Sequence, residues 1–297
     1  MRDVLKPFGC LDVLDYYSRV AAKLARFLKG RELSTKIWIP GGPKLLKRGS
    51  QLEPLYIEEL AGNVDDEFLR IRSKNSLPEA RERITPVQER IWKYFFPRKL
   101  CDFLYATNRE GPGRDIDRIF FDIDRNGPGP EEARIAAQKL LEIILDDTEF
   151  KASVGKGRPF LMWTGRSFHV YYLLEKPVPN HVYDRHVHFS KSSPLESFTG
   201  RWADRIAGET GLRVAGGHEK KKGFIVIDPS QTPSGKLARS PFSLHMKDAR
   251  TIDGVALPVE TQRIHEKGLL KDLSSYTPQK VLEELDELAK AIPPPYL

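Results

Sequence analysis

Residues 114–125 read RDIDRIFFDIDR, the same four letters DIDR twice, seven positions apart. Side chains along a strand alternate between its two faces. Asp122 and Asp124 therefore share one face, while Asp115 and Asp117, an odd number of positions earlier, point to the other. Ile119, Phe120 and Phe121 make the buried body of a strand. Asp122 and Asp124 stand at its downstream end, ahead of the breaker-rich NGPGP at 126–130 and a helix. Open α/β sheets bind ligands at that end of their strands, so the second pair is the functional one and the first is solvated. The competing reading is a strand end with two hydrated carboxylates.

Outward from this strand, helices and strands interleave. Apolar residues at Val20, Leu24, Phe27 and Leu28 give a helical spacing over 15–29 that ends at Gly30, and TKIWIPGG makes a short strand and turn. Residues 46–97 are polar and irregular, and their elements cannot be placed. Pro130 opens a helix with Glu131 and Glu132 in its first turn and a stripe of Ala133, Ala137, Leu140, Leu141 and Ile144. FLMWTGRSFHVYYLLEKP reads as two strands broken at Gly165-Arg166, and residues 194–211 as a helix around Trp202 and Ile206. GFIVIDPSQ is a strand ending in Asp228, and SPFSLHMK is an extended segment. Thr277-Pro278 caps a last amphipathic helix running to Ile292. The fold class is α/β (α+β) with two layers or lobes.

At 297 residues the chain is long enough for a buried core without staples. No apolar run approaches the length of a membrane span and no charged-then-apolar leader follows Met1, which reads as an intracellular, cytoplasmic protein with no membrane partner. Cys10 and Cys101, alone and far apart, argue against a disulfide framework and against a cysteine-based zinc or iron–sulfur site. The net charge is +7, and the 5 basic and 7 acidic residues from Val259 onward put the excess on the residues before it, which carry the candidate site. That balance suits a polyanionic partner, nucleic acid or nucleotide.

Parity sorts the remaining polar residues. Ser167 and His169 share a face in RSFHVYY, Asp228 ends FIVID, and Arg239, Ser243, His245 and Lys247 align if RSPFSLHMK is extended. Two aspartates on one strand and a third on another can hold a pair of divalent cations roughly 3.5 to 4 Å apart. Nearby basic and hydroxyl groups would neutralise the rest of a polyphosphate, the inventory of a nucleotidyltransferase. Lys220, Lys221 and Lys222 read as a solvated turn. His181, His186, His188 and Asp184 lack the second ligand cluster that a zinc site needs. There is no GxxxxGK[ST] loop, and TIDGV lacks the lysine of a ligase adenylation motif.

Five motifs in order, DYYSRVAAKLARFLKGRELSTKIWIPGG, FFDIDR, TGRSFHVYY, FIVIDPSQTPSGK and SPFSLHMK, resemble the polymerase domain of bacterial ligase D, the end-joining branch of the archaeo-eukaryotic primase superfamily. The resemblance spans nearly the whole chain. It implies one primase-polymerase domain over 1–297, with an RRM-like sheet packed against a second α/β lobe. The approximate lobes are an N-terminal one over residues 1–115, one carrying the catalytic motifs over 116–258, and a C-terminal helical segment over 259–297. It further implies Mn2+- or Mg2+-dependent addition of NTP or dNTP to DNA 3′ ends. Asp122, Asp124 and Asp228 match its metal-binding carboxylates, and Arg166, Ser167, His169, Lys236, Arg239, Ser243, His245 and Lys247 its nucleotide-binding groups.

Departures from the pattern are specific. Arg166 stands where the family has a lysine, and SLH at Ser243–His245 is closer to replicative primase small subunits than to the YSLR of ligase D polymerases. Cys10 lies near the position of the lysine that holds a downstream 5′ phosphate, leaving Arg2 or Lys6 to substitute. No ligase or nuclease domain is fused to it, so a ligase and an end-binding protein would be separate partners. The expected activity is template-dependent nucleotide addition at gaps and 3′ overhangs in double-strand-break end joining, associated with the nucleoid. The alternatives are a primase or primase-polymerase making primers and a non-catalytic nucleic-acid-binding subunit.

Overall fold

The computed structural model describes residues 12–109 and 114–294; the expectations placed on Arg2, Lys6 and Cys10 lie outside them. In chain order the first elements are α1 (Val13–Leu24), β1 (Leu33–Ile37), β2 (Leu45–Lys47), α2 (Ile57–Gly62), α3 (Asp66–Lys74), α4 (Leu77–Ala80), α5 (Pro86–Tyr94) and β3 (Cys101–Ala106). There follow β4 (Ile116–Asn126), α6 (Pro130–Asp146), α7 (Thr148–Val154), β5 (Gly157–Trp163), β6 (Phe168–Val178), α8 (Phe198–Thr210), β7 (Val214–Gly216) and β8 (Phe224–Asp228). The last are β9 (Leu237–Arg239), β10 (Leu244–Met246), β11 (Ile252–Val255), β12 (Leu257–Val259), α9 (Leu269–Ser274), α10 (Pro278–Glu283) and α11 (Leu285–Lys290).

These elements gather into two units interleaved in sequence. One comprises Met1–Tyr105, Arg239–Ala256 and Tyr276–Lys290; the other comprises Ala106–Ala238, Leu257–Ser275 and Ala291–Leu297. The chain returns to the first unit twice. The Ser240 N–H donates to the Phe103 carbonyl at 3.0 Å and draws the segment after Arg239 back to β3. β12 instead pairs antiparallel with β5 of the other unit, Leu257 facing Trp163. Finally α10 and α11 return to pack on α1, where Lys23 meets Asp286 at 2.5 Å.

The first unit holds β1, β2 and β3 side by side in the order β2-β1-β3. Asp12 caps α1 by accepting from the Leu14 N–H at 2.8 Å, and the helix buries Tyr16, Tyr17, Val20, Ala21 and Leu24. The expected helix over 15–29 thus starts earlier and ends at Leu24, the remaining residues forming turns up to Gly30. Residues 46–97, unreadable by periodicity, contain four short helices, most of them fixed by caps. Thr85 and Gln88 form a capping box at α5 with Pro86 in its first turn, and Ser76 and Glu79 form another at α4.

The second unit is a six-stranded sheet in the order β12-β5-β6-β4-β8-β7. β4 is antiparallel to both β6 and β8, and β7 runs parallel to β8. Helices α6 and α8 pack on one face. Ile119, Phe121, Ile123, Ile225 and Ile227 are fully buried, and the Phe121 ring lies 5.7 Å from that of Trp202 on α8. Gly200 is required on α8, because a Cβ there would stand 1.6 Å from the Pro194 carbonyl. The α/β expectation holds, as do the strand break at Gly165-Arg166 and the helix opened by Pro130. The last helix is interrupted at Glu284, giving α10 and α11.

Candidate active site

Antiparallel register in the second unit decides which groups meet. Asp122 on β4 stands directly opposite Asp228 on β8 and, on its other side, opposite His169 on β6. Directly opposed residues share a face, so His169, Asp122 and Asp228 form a row across three strands. Asp124 follows two residues along β4 on the same face, opposite Val226. Asp115 precedes the strand and is exposed; Asp117, within it, has the opposite parity, as the doubled DIDR predicts.

The row is seated on aromatic rings. Phe120 meets the edge of His169 at 4.8 Å and of Tyr171 at 4.9 Å, and Phe160 lies 5.3 Å from Tyr171. Behind Phe120, the Thr232 hydroxyl accepts from the Phe120 N–H at 2.9 Å, fixing the loop that follows Asp228. The His169 Nε2 lies 3.4 Å from the Asp122 Oδ1, with Asp122 still 31 % exposed.

Three carboxylates in this setting disfavour one another. Burial, reinforced by the charges of Asp122 and Asp228, pushes the Asp124 carboxyl up to about 7, and the Lys220 ammonium offsets only part of this. Asp228 is also raised, chiefly by burial, although the Ser230 N–H donates to its Oδ1 at 2.8 Å and opposes the shift. Lys220 and His218 come from the 217–223 loop, whose lysine run reads in sequence as a solvated turn; its charges act on Asp124 and Asp228. Tyr183, buried in a turn of π-helix, also lies within electrostatic reach of Asp228, and no sequence motif signals it.

Among the described residues no three His, Cys, Asp or Glu side chains are gathered tightly enough to enclose a metal ion as they stand. The donor set nevertheless fits a hard divalent cation: oxygen ligands from two neighbouring strands, with excess negative charge that raises a carboxyl pKa.

The other expected groups divide between the units. Ser167 is buried and its hydroxyl donates to the Ile123 carbonyl, within a turn closed by Thr164 and Gly165 at φ +98°. Arg166 and Lys236 are exposed. In the first unit, RSPFSLHMK is not extended throughout: β9 ends at Arg239, Phe242 has φ +63°, and β10 begins only at Leu244. The alignment of Arg239, Ser243, His245 and Lys247 along one strand is therefore broken by the turn at 240–243. Arg239 Nη1 is directed inward, 3.0 Å from the fully buried Asp102, which also receives Lys36 at 2.9 Å and the Trp38 indole at 3.1 Å. Ser243 is fully buried and accepts from the Phe103 N–H at 2.9 Å. His245 is half-buried, 3.9 Å from Asp253, and Lys247 is exposed.

No family model matches the chain, and no curated protein sequence does. No helix among the described residues is long and apolar enough to cross a membrane. Among solved structures the chain is similar to the polymerase domain from Mycobacterium tuberculosis ligase D in complex with DNA, at 18 % identity over 98 % of this chain and 97 % of that one. The TM-score of 0.54 identifies the shared mixed α/β fold.

Proposed function

We propose that the chain is a metal-dependent nucleotidyltransferase of the primase-polymerase type, adding nucleotides to DNA 3′ ends and gaps during double-strand-break end joining. The observation that carries this reading is the row His169–Asp122–Asp228 with Asp124 beside it, four polar groups on one sheet face whose carboxylates repel one another. Its similarity in fold to a ligase D polymerase domain solved with DNA supports the same class. A pure binding subunit would weaken its hold on DNA by concentrating negative charge there.

In nucleotidyl transfer the 3′ hydroxyl attacks the α-phosphorus, the new P–O bond replaces the bond to the departing pyrophosphate, and the hydroxyl proton passes to solvent. Asp122, Asp124 and Asp228 would hold Mn2+ or Mg2+, their side chains turning to a common point. When bound, such cations neutralise charge on the attacking and leaving oxygens. His169, 3.4 Å from the Asp122 Oδ1, orients that carboxylate. In the second unit Arg166, Lys220 and Lys236 supply cations for phosphate oxygens, and within the first unit His245 and Lys247 offer hydrogen-bond donors of the same use. Arg239 and Ser243 act by shaping the segment that carries His245 and Lys247.

The test is incorporation of labelled nucleotide on gapped, 3′-overhang and unprimed templates, each with Mn2+ and with Mg2+. Extension of primed ends is expected. A second reading, a primase that starts chains, is favoured by the SLH lettering at Ser243–His245 and requires efficient unprimed synthesis. Absence of incorporation on all templates rules out both.

A further inference from the structure

The turn at 240–244 combines two costs, a buried backbone bend and a bulky residue in a conformation suited to glycine. Phe242 is fully buried at φ +63°, where a Cβ crowds the following carbonyl. The surroundings satisfy every main-chain polar group from Phe242 to Leu244. The Phe242 N–H donates to the Ala256 carbonyl at 2.8 Å, and the Ala256 N–H returns a bond of 2.8 Å to Ser243 O. The Ser243 N–H closes the turn on Ser240 O at 3.1 Å, and Arg239 Nη1 donates to Leu244 O at 2.6 Å.

The two remaining groups are held by consecutive residues of α1. The Tyr16 hydroxyl donates to the Phe242 carbonyl at 2.9 Å. The Tyr17 hydroxyl accepts from the Leu244 N–H at 3.0 Å while donating to the Cys101 carbonyl at 2.7 Å. Both rings are fully buried, and Tyr17 stacks on Phe103 with centroids 4.8 Å apart. The two hydroxyls thus grip the bend on either side of Ser243 and tie it to the first residue of β3. An aliphatic helix face would fill the same volume and leave the Phe242 carbonyl and Leu244 N–H unsatisfied.

We propose that Tyr16 and Tyr17 are positioning residues: their hydroxyls hold the bend at Phe242 and so fix the direction in which β10 leaves it, presenting His245 and Lys247 to nucleotide phosphates. The phosphate-binding half of this inference rests on the proposed function; the holding of the bend does not.

The experiment compares Tyr17→Phe, and Tyr16→Phe with Tyr17→Phe together, against Tyr94→Phe. Tyr94 is a buried tyrosine of the same unit whose hydroxyl donates to the Glu53 carbonyl at 3.1 Å, remote in sequence from the bend. Each change keeps the ring and deletes a hydroxyl, so folding is retained and is checked by thermal unfolding. ATP affinity with Mn2+ and amide exchange at Leu244 are read for every protein. Expected is about a fivefold weaker ATP affinity in Tyr17→Phe, the scale of one lost hydrogen bond, with a larger loss in the double variant and none in Tyr94→Phe. KM for nucleotide rises in parallel while kcat at saturation holds, and Leu244 exchanges faster only in the Tyr17 variants.

Equal ATP affinity in Tyr17→Phe and Tyr94→Phe, with wild type binding ATP, overturns the positioning role and leaves the proposed function standing. Wild type that binds no ATP removes the nucleotide reading instead. In that case unchanged Leu244 exchange in Tyr17→Phe overturns the grip on the bend as well, and faster exchange sustains it.

Discussion

Replacing Asp124 by Asn makes the protein more stable above neutral pH and less responsive to divalent cations. The Asp124 carboxyl is raised to about 7 by burial and the neighbouring carboxylates, against roughly 3.9 in an unfolded chain. A raised folded-state pKa means that the native state holds the proton more tightly. Below pH ~4 both states are protonated and the side chain contributes nothing to pH dependence. Between ~4 and 7 the wild type loses stability as pH rises, and above 7 the loss is complete. At about 1.4 kcal/mol per pH unit the ceiling is ~4 kcal/mol; partial exposure and the coupling among the three carboxylates bring the working figure to roughly 2 kcal/mol. For a chain of this size that corresponds to about 3 °C in Tm. The assay is thermal unfolding of wild type and Asp124→Asn in EDTA from pH 5 to 8.5, repeated with Mn2+. Expected is a gap that opens with pH in EDTA. Mn2+ at a hundred times its Kd then reverses the order, stabilising wild type by about 2.7 kcal/mol and the variant far less. A variant less stable than wild type at pH 8 in EDTA, or a gap independent of pH, refutes the mutual repulsion on which the reasoning stands.

Asp122→Asn or Asp228→Asn abolishes nucleotide addition with folding and DNA binding retained, whereas Asp115→Asn, on the exposed approach to β4, is nearly silent; incorporation and gel-shift assays on the three variants check this, and the opposite pattern reassigns the site. Lys247→Ala, at an exposed position, weakens nucleotide binding by about 1.5 to 3 kcal/mol if it makes a charged hydrogen bond, with Tm unchanged. Arg239→Ala lowers Tm as well, because it strips the buried Asp102 of one of its partners; titration and melting curves separate the two behaviours. Gapped DNA carrying a 5′ phosphate is bound and extended in preference to gapped DNA without one, ribonucleotides being used at least as readily as deoxyribonucleotides; Lys6→Ala measured on both substrates reports whether that residue holds the phosphate.

The carboxylate row was legible because a strand's period of two is rigid. Once IFFDIDR is a strand, Asp122 and Asp124 must share a face, and the register of two neighbours is all that remains to bring Asp228 and His169 beside them. What was not legible depends on pairings distant in sequence. Nothing near Arg239 signals that Asp102, 137 residues earlier, will receive its Nη1, or that the Ser167 hydroxyl will be used by Ile123. Helices α2 to α5 escaped for a different reason. At four to nine residues each they are too short to show an apolar stripe, and their ends are written instead in caps such as Thr85–Gln88.

Two sites in this chain break local rules, and each is maintained by groups brought from elsewhere. At Phe242 a bulky residue adopts φ +63°, and the hydroxyls of Tyr16 and Tyr17 satisfy the backbone that the bend would otherwise orphan. At Asp122, Asp124 and Asp228 the fold gathers like charges, and Lys220 offsets only part of the repulsion at Asp124. At the carboxylates a neutral replacement would relieve the repulsion, whereas at Phe242 the fully buried ring is itself part of the packing. The first DIDR, at the start of the same strand, is different. Asp115 is exposed and Asp117 half-exposed, so their charge costs the fold little. The second DIDR carries the same letters at the opposite parity, where Asp124 is partly buried and crowded by other carboxylates. Under the proposed function, the cost carried by the second motif alone is one that a hard divalent cation bound to that face would remove.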